Sequence, residues 1–239
     1  MRETLLAGGQ ACRPLIARDG LSSVLIEPAI KLLQDKGATI RFGHELRAFA
    51  MAGDNVGELK FGDDTIAVAA DDVVVLAVPP RPAVSLLPGL KAPTKFRAIV
   101  NAHFRFDPPN NAPAILGVVG GLVEWLFAFP QRLSVTISNG DRLVDMPREE
   151  LAQAIWRDVR KAAGVDGELP PPLPPWQIVR ERRATFEATP EQNALRPGAM
   201  TAAKNLFLAG DWTDTGLPAT IEGSVRSGDR AADLVLARR

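Results

Sequence analysis

The sequence predicts a mixed α/β (α+β) fold, in which two separated stretches build one α/β unit and an antiparallel sheet is inserted between them. Three observations lead there. Residues 73–78, VVVLAV, are six apolar residues without alternation, the pattern of a strand covered on both faces as in a parallel sheet. Residues 205–236 read as a short apolar strand, a Gly-Asp turn, a loop and a helix with small residues on one side. Between them, residues 97–138 hold several strand-like runs separated by turn residues. Residues 1–80 and 200–239 are therefore expected to form one unit, with 81–199 as the insertion.

In chain order, the first element expected is a helix over 21–36. Leu21, Val24, Leu25, Pro28, Ala29, Leu32 and Leu33 recur at three-to-four spacing, Pro28 should kink or split it, and Gly37 suits a left-handed cap. Residues 38–42 then read as a strand and 44–50 as another short extended piece. A hairpin over 56–61 and 65–69 turns at Gly62-Asp63-Asp64. Pro79-Pro80 should end the apolar strand that follows. Runs at 97–106, 115–119, 123–129 and 133–138 form the antiparallel region, with a turn at Asn139-Gly140. Residues 147–163 are an amphipathic helix with Leu151, Ala154, Ile155, Val159 and Ala162 on one face and Pro147 in its first turn. Residues 168–176, with their prolines, read as a stiff connector, and 176–185 as one more strand.

Composition narrows the function classes. Lys plus Arg and Asp plus Glu each number 28, so the formal charge is zero and nothing drives general polyanion binding; no nucleic-acid partner is expected. Cys12 is the single cysteine, which rules out an intrachain disulfide and suits a reducing compartment. No apolar run reaches spanning length, so a cytoplasmic location is expected, with peripheral membrane contact left open. His44 and His103 stand far apart without cysteines or paired carboxylates at ligand spacing, so no metal site is expected.

The chemistry concentrates at the C-terminal stretch. Ile221, Val225, Gly228, Ala232 and Val235 would share one helix face, with Gly228 and Ala232 allowing close approach. Thr220 is the natural N-cap and Glu222 suits the positive helix end. The amides of Ile221, Glu222 and Gly223 open that helix without intrahelical partners, so they offer positive charge to an electron-rich ring such as a reduced flavin. Gly223 would let such a ring approach the backbone. Asp211, just past the strand, could accept hydrogen bonds from ribityl hydroxyls, and Gly210 would leave room for a cofactor chain. On spacing alone, the same stretch also fits any α/β crossover.

Longer strings add to this. Residues 206–228, LFLAGDWTDTGLPATIEGSVRSG, strongly resemble the C-terminal FAD segment of the amine oxidase and phytoene desaturase flavoenzyme superfamily. The run WTDTGLPAT at 212–220 is similar to the hydroxysqualene dehydroxylase family within it. VLAVPP at 75–80, EWLFAF at 124–129, SVTIS at 134–138 and ERRATFEATP at 181–190 match in the same order. The resemblance implies a two-domain enzyme: a Rossmann-like FAD-binding domain and an antiparallel substrate domain acting on an isoprenoid. It implies that Gly210 and Asp211 line the ribityl and pyrophosphate region, that Ile221, Glu222 and Gly223 face the pyrimidine side of the flavin, and that Leu46 meets the adenine end through its backbone.

One departure is large. The G-x-G-x-x-G turn that accompanies such segments is not found: Ala7-Gly8-Gly9-Gln10 does not fit, and Gly117-Val118-Val119-Gly120-Gly121 has neither the spacing nor a following helix. The FAD-binding domain is therefore expected to be incomplete, with a separate N-terminal FAD-binding segment as a partner. Asp214, between the turn and the helix, is the candidate acid for the leaving hydroxyl. Trp125, Phe127 and Phe129 are candidates for an apolar lining. Trp212 fits either a cover over the flavin or a staple under its loop, and Arg180, Arg182 and Arg183 fit either a solvated face or a guide for an anion. Two rival functions remain open: another flavoenzyme of the superfamily acting on carotenoids or amines, and a non-catalytic fragment.

Overall fold

A computed structural model describes residues 5–13, 15–17, 19–165 and 173–238. The chain divides into two compact units: residues 1–42, 100–138 and 145–179, and residues 43–99, 139–144 and 180–239. The proline connector expected at 168–176 lies mostly outside the described residues.

In the first unit, a π-helical turn, Ser22–Ile26, runs into helix α1, Glu27–Asp35. Pro28 sits in the first turn of α1, directly after the π-helical turn, and the backbone stays helical through Ile26 and Glu27, so the expected helix changes type there. Gly37 takes φ +84° and closes the helix end as expected. The apolar stripe is on the surface: Leu21, Val24, Leu25, Ile26, Leu32 and Leu33 are all exposed. Residues 38–42 form no strand, because no neighbouring segment offers them a ladder.

The same unit holds most of an antiparallel sheet. Its strands are β5 (Phe96–Arg105), β6 (Ile115–Gly117), β7 (Trp125–Phe129), β8 (Arg132–Ile137) and β9 (Trp176–Phe186), in the order β6-β7-β8-β5-β9. Alternation divides β5 cleanly. Val100, Ala102 and Phe104 are buried, and Phe104 packs on Trp156 of α3 (Arg148–Ala163) with ring centroids 4.9 Å apart. Asn101, His103 and Arg105 point to the opposite face. The buried face of α3 is Leu151, Ala152, Ile155, Trp156, Val159 and Arg160, wider than the expected stripe, while Ala154 and Ala162 are half-buried.

The second unit begins with an antiparallel meander, β1 (Ala48–Ala52), β2 (Asn55–Phe61) and β3 (Asp64–Ala67), with the Gly62 turn as expected. Strand β4 (Val74–Leu76) pairs in parallel with β10 (Leu206–Leu208). Helix α2 (Pro80–Leu86) follows β4 directly, so the Pro79-Pro80 pair both stops a strand and starts a helix. A short α4 (Pro190–Asn193) and the final α5 (Ile221–Leu236) complete the unit. Its core joins Val56, Leu76, Ala83, Phe186, Leu206, Leu208 and Trp212.

Strand β4 departs from its expected environment. Leu76 is buried, but Val73 and Val75 on the other face are 36% and 44% exposed. The run is apolar throughout, yet only one of its faces is covered. Helix α5 also presents a different side from the one expected. Gly223, Ser227 and Ala231 are buried, with Leu234 and Val235 packed near Phe207 and Ala209, whereas Ile221 and Val225 are exposed. Gly228 and Ala232 face solvent, so the close approach is made by the small residues at 223, 227 and 231. No helix among the described residues is long and apolar enough to cross a membrane.

Candidate active site

Two adjoining cavities in the second unit form the candidate site. The larger, about 720 Å³, is lined by Glu45, Leu46, Arg47, the 79–82 turn, Ser85, Leu86, Phe96, Glu181 and Arg183. The smaller, about 260 Å³, is lined by Ala77, Val78, Pro79, Pro80, residues 183–186, Gly210, Asp211, Trp212 and Ser224. They share Pro79, Pro80, Phe96, Arg183 and Ala184, so one cleft leads from Leu46 to Gly210 and Asp211 past the carboxyl ends of β4 and β10. That is where open parallel sheets bind ligands.

The Gly210 turn is built tightly. Gly210 has φ +147°, and a Cβ there would lie 2.5 Å from Nε1 of Trp212. The space left by its missing side chain is thus filled by the Trp212 indole. Trp212 is 2% exposed and its Nε1 donates to the Val78 carbonyl at 2.9 Å, which makes it a staple joining the two strand ends. The Gly210 amide donates to Ser227 Oγ at 2.7 Å, tying the turn to α5.

Asp211 lines the cleft, and burial raises its carboxyl pKa; a hydrogen bond from the Trp212 amide and the charge of Arg196 act in the opposite direction. Arg196 is the organiser of the loop that follows. It is 9% exposed, donates to the carbonyls of Asp211 and Thr213 and to Thr215 Oγ1, and lies 4.8 Å over the Phe186 ring. No signal in the amino-acid order marks it, since a single arginine in a loop has no pattern.

Thr220 caps α5 as expected: its Oγ1 accepts from the Gly223 amide at 3.1 Å. That bond corrects the expectation of three open amides. Gly223 is already satisfied by its own cap, which leaves Ile221 and Glu222. Glu222 turns its carboxylate to Arg226 at 2.6 Å, along the helix surface. Gly223 also packs inward, where a Cβ would meet Pro218 O at 3.1 Å and Asp211 Cβ at 3.7 Å; its lack of a side chain lets the helix start close on the loop. Thr220, Ile221, Glu222 and Gly223 do not line either cavity, whereas Ser224 does. Asp214 is exposed and outside both cavities, and its carboxylate acts on Arg196. Arg180 and Arg182 both donate to the Val144 carbonyl, at 3.1 and 3.0 Å, while Arg183 lines both cavities.

A family model described as flavin containing amine oxidoreductase matches residues 1–236. The chain belongs to that family. FAD is the cofactor this flavin-containing family implies, and the cleft fits it in part: the cavity is of dinucleotide size, and Leu46, Gly210 and Asp211 are spread along it. The chain is 73% identical over 236 residues to a hydroxysqualene dehydroxylase of Sinorhizobium fredii, covering 99% of this chain and 56% of that protein. It is 70% identical over 238 residues to one of Rhodopseudomonas palustris, with the same coverage, 99% and 56%. The chain thus spans about half the length of the curated relatives it matches. Among solved structures, a putative protoporphyrinogen oxidase of Exiguobacterium sp. matches with a TM-score of 0.66 at 20% identity, over 96% of this chain and 54% of that one. A putrescine oxidase bound to putrescine matches at 0.64 and 16% identity, over 92% and 53%. At such identities these two show the fold: a flavin amine oxidase fold in mixed α/β form.

Proposed function

We propose that this chain is the greater part of an FAD-dependent oxidoreductase that reductively removes the hydroxyl of hydroxysqualene to give squalene. The observation that carries the reading is the single cleft joining Leu46 to Gly210 and Asp211, in a chain 73% identical to a hydroxysqualene dehydroxylase. FAD, when bound and in its reduced form, would supply the hydride, and the hydroxyl would leave as water after taking up a proton. Leu46 would meet its adenine end, Gly210 and Asp211 its ribityl and pyrophosphate region, and the Ile221 and Glu222 amides its pyrimidine side. On this reading residues 1–80 and 200–239 belong to the FAD side and 81–199 to the substrate side.

A second part of the proposal is a partner: an N-terminal FAD-binding segment, supplied by the same longer protein or by a separate chain. Its support is β4. A parallel pair of strands is normally covered on both faces, and here Val73 and Val75 are bare. The water-insoluble substrate motivates action in the cytoplasm at the surface of the inner membrane.

The test is product analysis. The chain combined with a segment bearing G-x-G-x-x-G, given reduced flavin, should convert hydroxysqualene to squalene. Conversion of carotenoid precursors or amines instead would replace the substrate assignment. The chain alone should purify colourless; a yellow protein with stoichiometric flavin would remove the need for the partner.

A further inference from the structure

The outer face of the antiparallel sheet has a composition that a solvated face does not need. Across the strands, the register aligns Ile115, Phe127, Ser134 and His103 in one row, and Gly117, Trp125, Thr136 and Asn101 in the next. Phe127 and Trp125, with Ile115 and Gly117 beyond them at the edge, therefore make one half of the two rows apolar, and hydrogen-bonding side chains fill the other half. Trp125 is 44% exposed and lies over Gly117, where a Cβ would be 3.4 Å from its ring, and Phe127 stacks with Phe129 at a centroid distance of 6.3 Å.

At the polar end, His103 Nδ1 and Ser134 Oγ are 2.9 Å apart. Ser134 is 6% exposed, shielded between the strands beside it, while His103 is half-buried. The adjacent pair is closed on itself: Thr136 Oγ1 donates to Asn101 Oδ1 at 2.8 Å. His103 is not closed. Its Nδ1 is taken by Ser134, and among the described residues Nε2 has no protein partner. Burial, and then the charge of Arg132, lower the imidazole pKa, which favours the neutral ring.

A neutral imidazole with one nitrogen engaged has a defined need at the other. If Ser134 donates to Nδ1, Nε2–H is a donor; if Nδ1–H donates to Ser134, Nε2 is an acceptor. A hydroxyl group, which both donates and accepts, satisfies either tautomer. The aromatic side chains in the same rows suit a hydrocarbon body. We propose that His103 and Ser134 form the subsite that holds the hydroxyl of the isoprenoid alcohol, with the hydrocarbon laid along Phe127 and Trp125. This rests on the isoprenoid reading above and deepens it, assigning the specificity for an alcohol over a hydrocarbon to two named residues.

The test uses the chain as it is, with farnesol as the probe and the hydrocarbon of the same skeleton, farnesene, as its control. The protein has two histidines, so the ring signals of His103 are separable from those of His44 by NMR. Farnesol should shift the His103 signals saturably and leave His44 unmoved, and should bind about tenfold tighter than farnesene, the effect of about one well-placed hydrogen bond. Ser134→Ala and His103→Phe should each bring the two ligands within about twofold while farnesene binding stays as in the wild type. If His103→Phe does not fold, His103→Gln serves, and it should retain part of the preference. Equal binding of the two ligands by the wild type, or His103 signals unmoved at saturation, would overturn the subsite. Should the flavin-loaded enzyme convert hydroxysqualene while both variants keep the wild-type preference, the subsite falls and the dehydroxylase reading stands. If the wild type binds neither probe, the isoprenoid reading falls as well.

Discussion

Asn205 holds the backbone of Val56 by both ends of its amide: the Val56 N–H donates to Oδ1 at 2.7 Å, and Nδ2 donates to the Val56 carbonyl at 3.0 Å. A side chain thus replaces a neighbouring strand, binding the β1-β2-β3 meander to the β4-β10 pair. Asn205 is 2% exposed and Val56 1%, so neither backbone group has water as an alternative. Asn205→Ala should destabilise the protein by about 2–4 kcal/mol, two buried groups being left unpaired. Asn205→Asp should be worse at neutral pH than in acid, where a protonated carboxyl can again donate to the carbonyl. Urea unfolding midpoints at pH 4 and pH 7 check both.

Removing Arg196 should loosen the loop beside the cleft before it unfolds the protein. Arg196→Met keeps the packing over Phe186 and deprives the Asp211 and Thr213 carbonyls of their donor. A loss of about 2–4 kcal/mol is expected, with Arg196→Lys recovering part of it, because the three acceptors converge on the one nitrogen Nη2 and an ammonium has three N–H donors, while the bond to Asn193 and the planar stacking on Phe186 stay lost. Hydrogen exchange over residues 211–215 should rise in both variants.

Gly210→Ala should cost about 2–4 kcal/mol, the sum of a strained positive φ and an overpacked contact with the Trp212 indole. The new methyl would push Nε1 off the Val78 carbonyl. A fall in thermal midpoint together with a red shift of Trp212 fluorescence would report this. Trp212→Phe combined with Gly210→Ala should then cost less than the sum of the two alone.

The Asp211 carboxyl sets a pH dependence whose sign is fixed by burial. Its folded pKa is raised, mainly by desolvation, so the folded state binds more protons than the unfolded one from the ordinary aspartate value of about 3.9 upward. Stability from this group is therefore full in acid and is lost as pH rises through the raised value. Asp211→Asn should flatten that decline and leave the protein more stable than the wild type near pH 7. Unfolding midpoints from pH 3.5 to 7 decide it; a decline equal in both proteins would dissociate Asp211 from it.

The start of α5 was legible in the sequence because Thr220 is a capping residue directly before a helical period, and the structure begins the helix at Ile221. Its buried face was not legible. Ile221 and Val225 carry the stronger apolar signal, yet Gly223, Ser227 and Ala231 face the sheet, because only small side chains let a helix lie this close to Phe207 and Ala209. Helix α2 was hidden by Pro79-Pro80, a pair that marks the end of a strand and the first turn of a helix equally well. The strands of the antiparallel sheet were readable as strand-like runs set off by turn residues; the alternation of β5 became visible in the fold. In the site, Gly210 and Asp211 were found through their turn and position after a strand. Arg196 was not, and outside that cleft the His103–Ser134 pair was not legible either: the partners are distant in sequence, and only the register of β5 against β8 brings His103 to Ser134.

The pairing of β4 with β10 also has a consequence for synthesis. Leu206 to Leu208 leave the ribosome about 130 residues after Val74 to Leu76. Throughout that interval the apolar strand β4 lacks the parallel neighbour it has in the fold, a state that invites self-association. Yield in a host should therefore rise with chaperone supply and with slower, cooler translation, more than with any change at the surface.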